Sequence, residues 1–222
     1  MLTFKSKIKN QKSKIPRIAL LDYEMGNLHS VSKALEHTGA DVDILTQPAE
    51  MDKYSALVLP GVGNFGDCAE KCREHGFDKL TLEWINSGKP FLGICVGMQL
   101  LMEESEEAPG IPGLGIFKGK VKLFKPDDPA LKVPQMGWNQ VEQILKNQIF
   151  NDIPNNSYFY FVHSYYVEPE NAEIILGETD YGIKYCSFIQ KDNIFATQFH
   201  PEKSQKIGLK LLENFVKIVI SY

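Results

Sequence analysis

The sequence predicts an α/β protein: an open, mostly parallel sheet flanked by helices, with an antiparallel β extension. Two observations predict it. In the first half, short apolar runs of strand length alternate with stretches that repeat apolar residues every three or four positions. After Gly110 the texture changes to short β-like segments separated by turn residues, and only the C-terminal stretch returns to a helical period.

Residues 18–21, Ile-Ala-Leu-Leu, form the first expected strand, ending at Asp22. The loop 23–27 feeds a helix with Leu28, Val31, Ala34 and Leu35 on one face and Gly39 as its stop. Residues 42–45 and 56–59 are the next strands, the latter running into Pro60-Gly61-Val62-Gly63. One helical stretch is expected through Cys68, Cys72 and residues 80–85, ended by Gly88. The fourth strand, residues 91–94, stops at Cys95, and Met98, Leu100, Leu101 and Met102 then follow with a helix-like period. This β-α-β-β-α-β order implies a parallel sheet with its site beyond the strands' C-terminal ends.

Gly110, Pro112, Gly113 and Gly115 make a loop, and β-like segments follow at 121–124, 138–141, 158–167, 174–177, 185–190 and 194–199. They are expected to be largely antiparallel. Ile207, Leu211, Leu212, Phe215, Val216 and Val219 mark a closing amphipathic helix. With no internal repeat or linker, residues 16–222 read as a single domain. Residues 1–15, carrying Lys5, Lys7, Lys9, Lys12 and Lys14 with few apolar residues, read as a disordered extension.

Composition narrows the classes. With 222 residues, 43% hydrophobic and 23% charged, the chain has the make-up of a globular protein with a substantial core. A formal charge of −4 gives no general attraction to nucleic acid or membrane. No apolar run reaches the length of a membrane span, and the polar start lacks the apolar core of a signal peptide. Four cysteines are too few for a disulfide scaffold, so free thiols in a cytoplasmic setting are expected.

The chemistry centres on Cys95. Gly93 and Gly97 bracket it at a strand-to-helix junction, the logic of a nucleophile elbow with cysteine in place of serine. Amide donors and the dipole of the following helix favour the thiolate there. The alternative is a small buried cysteine ending a core strand. His200 and Glu202 lie two apart at the end of a β-like run, so they point the same way and suit a base with its orienting carboxylate. Pro60-Gly61-Val62-Gly63 is either a glycine turn or an oxyanion strand. The N–H of Val96, next to the nucleophile, is one candidate oxyanion donor, and Gln99 lies one helical turn beyond Cys95. Lys203, directly after Glu202, is placed at the rim of such a site. Cys68, Cys72 and His75 share a helical spacing but lack a fourth ligand, so no metal is expected, and no cofactor. His163, inside an aromatic strand, reads as a structural core histidine.

Gly93-Ile94-Cys95-Val96-Gly97-Met98-Gln99, Pro60-Gly61-Val62-Gly63 and His200-Pro201-Glu202 resemble the three signatures of the class I (triad) glutamine amidotransferases. Further stretches resemble the branch of that family that supplies glutaminase subunits to imidazole glycerol phosphate synthases. They are Asp22-Tyr23-Glu24-Met25-Gly26-Asn27, Pro60 to Gly66, Glu103-Glu104-Ser105-Glu106-Glu107, Met136-Gly137-Trp138-Asn139 and Tyr160-Phe161-Val162-His163-Ser164-Tyr165. They run from about Arg17 to the C-terminus in the family's order.

The resemblance implies a glutaminase hydrolysing glutamine to glutamate and ammonia, with Cys95 as nucleophile and His200 and Glu202 completing a triad. It implies Val62 as the second oxyanion donor, its peptide free to turn between Gly61 and Gly63. Gln99, Glu107, Ser164 and Tyr165 would hold the substrate, Glu107 meeting its ammonium. Trp138 and Tyr160 would share the rim with Lys203 at an interface with a (β/α)8-barrel synthase. That heterodimer partner would use the ammonia to make imidazole glycerol phosphate in histidine biosynthesis. Two other readings stand beside this one: a paralogue feeding an amino-sugar or surface-polysaccharide synthase, and an inactive amidotransferase-like binding subunit.

Overall fold

The computed structural model describes residues 15–222, so the expected disordered extension lies, Ile15 apart, outside the described residues. The four apolar runs form β1 (Arg17–Leu21), β2 (Asp41–Leu45), β3 (Ala56–Leu59) and β4 (Phe91–Ile94). Between them lie α1 (Leu28–His37), α2 (Phe65–Glu74) and α3 (Phe77–Asn86). The strands pair in parallel in the order β2-β1-β3-β4. Every residue of β3 and β4 is buried. A parallel sheet covered on both faces needs strands that are apolar on both sides, and that is why they read as continuous runs. The single helical stretch expected after Gly63 is two helices, broken at His75-Gly76. Asn64 starts the first of them, its side-chain oxygen accepting the Asp67 N–H at 2.8 Å.

Beyond Cys95 the helix is shorter than the apolar period suggested. It is α4 (Val96–Gln99), a single turn. The carbonyls of Leu100 and Leu101, which a longer helix would need, accept instead from the N–H groups of Leu114 and Phe117 in the glycine-rich loop. Gly97 in this turn lies against the end of β3: a Cβ there would sit 2.0 Å from the Leu59 carbonyl oxygen, so only glycine fits.

The remaining strands are β5 (Glu104–Ser105), β6 (Gly119–Leu123), β7 (Gln135–Gln143), β8 (Ser157–His163), β9 (Tyr165–Pro169), β10 (Ile175–Asp180), β11 (Lys184–Lys191) and β12 (Ile194–Thr197). Helix α5 (Gln205–Ser221) follows, burying Leu211, Leu212 and Phe215 completely. Among the described residues the sheet has 12 strands, its path continuing β4-β12-β11-β10-β7-β8 with β5, β6 and β9 alongside.

Two details differ from a plain antiparallel extension. β12 pairs in parallel with β4 and is antiparallel only to β11. The run 158–167 is two strands with different partners: β8 pairs with β7, and β9 with β6 and β11. The change of partner falls at Ser164, whose carbonyl accepts the Phe124 N–H. The placement of β12 builds the site. Thr197 lies opposite Ile94, and the Cys95 N–H donates to the Thr197 carbonyl at 2.7 Å, so the ends of two strands far apart in sequence meet.

Candidate active site

Cys95 sits at the end of β4 with φ +56° and ψ −111°. A non-glycine residue held there stores on the order of 1–3 kcal/mol of strain, the kind that recurs where a side chain must be aimed. Its neighbours line a cavity of about 350 Å³ at the C-terminal ends of the strands. That is within the range of small-molecule sites, roughly 300–1,000 Å³.

His200 follows β12 and lines the same cavity as Cys95. Its Nδ1 lies 2.8 Å from Oε1 of Glu202, and both side chains are shut off from solvent, at 2% and 0% exposure. With a carboxylate on Nδ1, Nε2 is the nitrogen left for chemistry; it is buried and has no hydrogen-bond partner among the described residues. Burial works against a charge on this imidazole, but Cys95 and then Glu202 outweigh it, and the His200 pKa is raised to about 10. The charged form of the imidazole is therefore favoured at neutral pH.

The other residues expected at the site fall into three groups. Val62, Gly63, Val96, Gln99, Glu107, Ser164 and Tyr165 all line the cavity. Glu107 accepts the Phe65 N–H at 2.7 Å, yet burial raises its pKa, a half-buried carboxylate without a cationic partner among the described residues. Gln99 is buried, its amide donating to the Tyr165 carbonyl and to Oε1 of Gln198, each at 3.1 Å.

The oxyanion residues form the second group. Val96 occupies the first position of α4, so its N–H has no carbonyl a turn earlier to bond. The Val62 N–H, by contrast, donates to the Met25 carbonyl at 2.9 Å and is turned away from the cavity. Gly61 lies beneath the floor, packed so closely that a Cβ would come within 2.7 Å of the Gly97 nitrogen and 2.9 Å of the Tyr23 hydroxyl. That hydroxyl donates to the Pro60 carbonyl, and the Cys68 thiol donates to the Val62 carbonyl at 3.3 Å. Both carbonyls flanking the Gly61–Val62 peptide are thus held, and the peptide between them is held in turn through its N–H on Met25.

The third group is the rim. Lys203 lines the cavity mouth and places its Nζ 5.9 Å from the centre of the Tyr160 ring. Tyr160 meets Trp138 edge-on at 6.0 Å, and its carbonyl accepts the His200 N–H at 2.9 Å. Trp138 is 44% exposed, so it is no core residue, and exposed Met136 and Tyr158 extend the same patch.

His163 also lines the cavity. Its Nδ1 bonds to the Tyr165 carbonyl, its Nε2 lies 3.3 Å from the Tyr185 hydroxyl, and burial lowers its pKa to about 4, so it stays neutral. Cys68 and Cys72 are buried thiols whose pKa burial pushes up to about 12. Gln198, whose Nε2 lies 3.8 Å from the Cys95 sulfur, was not among the residues the sequence singled out. The available signal was its position two residues before His200 on the same strand end.

The glutamine amidotransferase class-I family model matches residues 19–219. The imidazole glycerol phosphate synthase subunit HisH of Acinetobacter baylyi is 55% identical over 202 residues, covering 90% of this chain and 98% of that protein. Subunit HisH 1 of the same synthase from Methanococcus maripaludis is 48% identical over 205 residues, covering 91% and 100%. Among solved structures, PurLQS from Thermotoga maritima superposes with a TM-score of 0.71 at 18% identity, covering 94% of this chain and 99% of that one, a likeness of fold.

Proposed function

Because the chain belongs to the class I glutamine amidotransferases, and within them to the HisH subunits of imidazole glycerol phosphate synthase, we propose that Cys95, His200 and Glu202 are the triad with which it hydrolyses glutamine to glutamate and ammonia. The observation that carries the triad is the shared cavity of Cys95 and His200, with Glu202 2.8 Å behind the imidazole.

In the proposed sequence the Cys95 thiolate attacks the side-chain amide carbon of glutamine, and the C=O electron pair moves onto oxygen. The Val96 N–H holds that oxyanion, and a turn of the Gly61–Val62 peptide brings in a second donor. Protonated His200 gives its proton to the departing nitrogen, which leaves as ammonia and a glutamyl thioester. Neutral His200 then takes a proton from water, whose oxygen attacks the thioester and releases glutamate. Glu202 stabilises the imidazolium throughout. Gln99, Glu107, Ser164 and Tyr165 hold the substrate, with Glu107 opposite its ammonium. With Val62 bonded to Met25, the second donor is missing in the resting conformation. A low rate in isolation and stimulation by a partner follow from that.

The partner is a synthase subunit, in keeping with the relatives' names. We assign it a (β/α)8-barrel form, a heterodimer with this chain, and a cytoplasmic setting. Among the described residues no helix is long and apolar enough to cross a membrane. Residues 16–222 act as one amidotransferase domain in this reading. Trp138, Tyr160 and Lys203 form the docking rim, because aromatic anchors beside a cation are what interface centres favour and the ammonia must leave through that opening. Trp138→Ala and Lys203→Ala should each weaken the complex by about tenfold or more, or uncouple glutaminase stimulation from synthase ligand, with folding unchanged. Wild-type affinity and stimulation in both variants would remove the rim from the interface.

A further inference from the structure

We propose that Gln198 is a positioning residue for the nucleophile, its side-chain amide donating to the Cys95 sulfur and tying that sulfur, through Gln99, to the strand that bounds the cavity. The inference rests on Cys95 being the nucleophile and adds a residue to that machinery.

The chain of contacts has a fixed polarity. It begins at the Tyr165 backbone carbonyl, which only accepts, so Gln99 must present its NH₂ group there, at 3.1 Å. The second hydrogen of the same nitrogen goes to Oε1 of Gln198, also at 3.1 Å. With its oxygen so occupied, Gln198 turns its own NH₂ to the Cys95 sulfur at 3.8 Å, within the longer reach of a sulfur acceptor. Gln198 is 0% exposed and Gln99 3%, so no solvent competes along the chain. The Gln198 backbone is pinned as well, its N–H donating to the Ser187 carbonyl at 2.9 Å.

The geometry has a chemical consequence. Gln198 and His200 lie two apart beyond β12; Gln198 reaches the sulfur with an amide donor, and His200, the proton carrier, lines the same cavity as Cys95. A donor to an anionic sulfur in a dry site is a charge-assisted hydrogen bond, stronger than a neutral one. It also fixes the direction from which the sulfur attacks. Because the other end of the chain is Tyr165, a residue of the substrate cavity, filling that cavity bears on the sulfur through two amides.

Two near-isosteric variants separate the donor role from mere packing. Gln198→Met removes the donor to sulfur and the acceptor for Gln99. Gln198→Glu keeps an acceptor for Gln99 but sets an oxygen against the sulfur. The first readout is the rate at which iodoacetamide alkylates Cys95, followed by peptide mass spectrometry at one pH. Cys68, Cys72 and Cys186 are buried thiols whose pKa burial raises, so they stay out of this reaction. Alkylation should slow by about tenfold in Gln198→Met and further in Gln198→Glu. Glutaminase kcat, measured in the complex with the synthase subunit, should fall in both. KM should rise in Gln198→Met and hold within about twofold in Gln198→Glu, since only the latter preserves the Gln99 contact. Wild-type alkylation in both folded variants, or an equal loss of kcat/KM with no split, would overturn the inference. If neither variant folds, the side-chain amide resonance of Gln198 decides: it should shift on Cys95→Ala, and an unmoved resonance counts against the contact. Failure of Cys95 to be alkylated in the wild type would instead overturn its assignment as nucleophile.

Discussion

Replacing Cys95 by alanine is expected to lower glutamine hydrolysis by about a millionfold while leaving the fold intact. Loss of the nucleophile in a triad enzyme has an effect of that size, because the remaining groups act only through it. The side chain is small and sits at the cavity wall, and alanine keeps its Cβ, so the packing around Gly93 and Gly97 is undisturbed. The complex of the variant with the synthase subunit should still turn over when ammonium salt is supplied, since only the source of ammonia is removed. Paired assays with glutamine and with ammonium check both statements. Near-normal turnover with glutamine would remove Cys95 from the mechanism.

His200→Asn should be nearly as damaging, and Glu202→Gln less so, retaining roughly tenfold to a hundredfold more activity. His200 moves protons in both half-reactions, whereas Glu202 only orients and stabilises the ring. The pH dependence adds a second, signed test. The His200 pKa stands near 10 because Cys95 and Glu202 together outweigh burial. Taking away the negative charge of Glu202 removes one of the raising influences, so the pKa falls. The imidazolium that must protonate the leaving nitrogen is then lost at lower pH. The alkaline limb of the glutaminase pH profile should therefore move to lower pH in Glu202→Gln. A limb that stays in place, or a glutamate variant more damaged than His200→Asn, would contradict these roles.

Much of this architecture is legible in the sequence, for physical reasons that also mark where legibility stops. The burial of β3 and β4 on both faces writes itself as unbroken apolar runs, and α5 as a period of three to four. The pairing of Cys95 with His200 is legible because glycine-bracketed cysteine and His-x-Glu are rare combinations with a shared chemistry. Periodicity records whether a residue faces the core, and not which strand lies beside it. β12 was accordingly grouped with the antiparallel segments, although it pairs in parallel with β4. The break at Ser164 is similarly silent, since the strands on either side of it are both rich in aromatic residues.

The site shows the same division. Side-chain chemistry can be read from residue type, but Val62 enters through its backbone, and where its N–H points depends on Met25, 37 positions away in the chain. Gln198 carries an ordinary amide whose meaning comes from the sulfur beside it. The one-turn length of α4 was decided by Leu114 and Phe117, which take over carbonyls that the local sequence would have used for a longer helix.

The central claim is that ammonia is released through a covalent glutamyl thioester on Cys95. The most direct test mixes the chain, in complex with its synthase subunit, with glutamine, quenches in acid within the first turnovers and maps peptides by mass. The account predicts a peptide containing Cys95 that is heavier by one glutamyl group, absent in Cys95→Ala and accumulating to a higher level in Glu202→Gln if water attack becomes the slow step. Glutamate formed at the full wild-type rate with no such adduct, or with the glutamyl group on another residue, would contradict it.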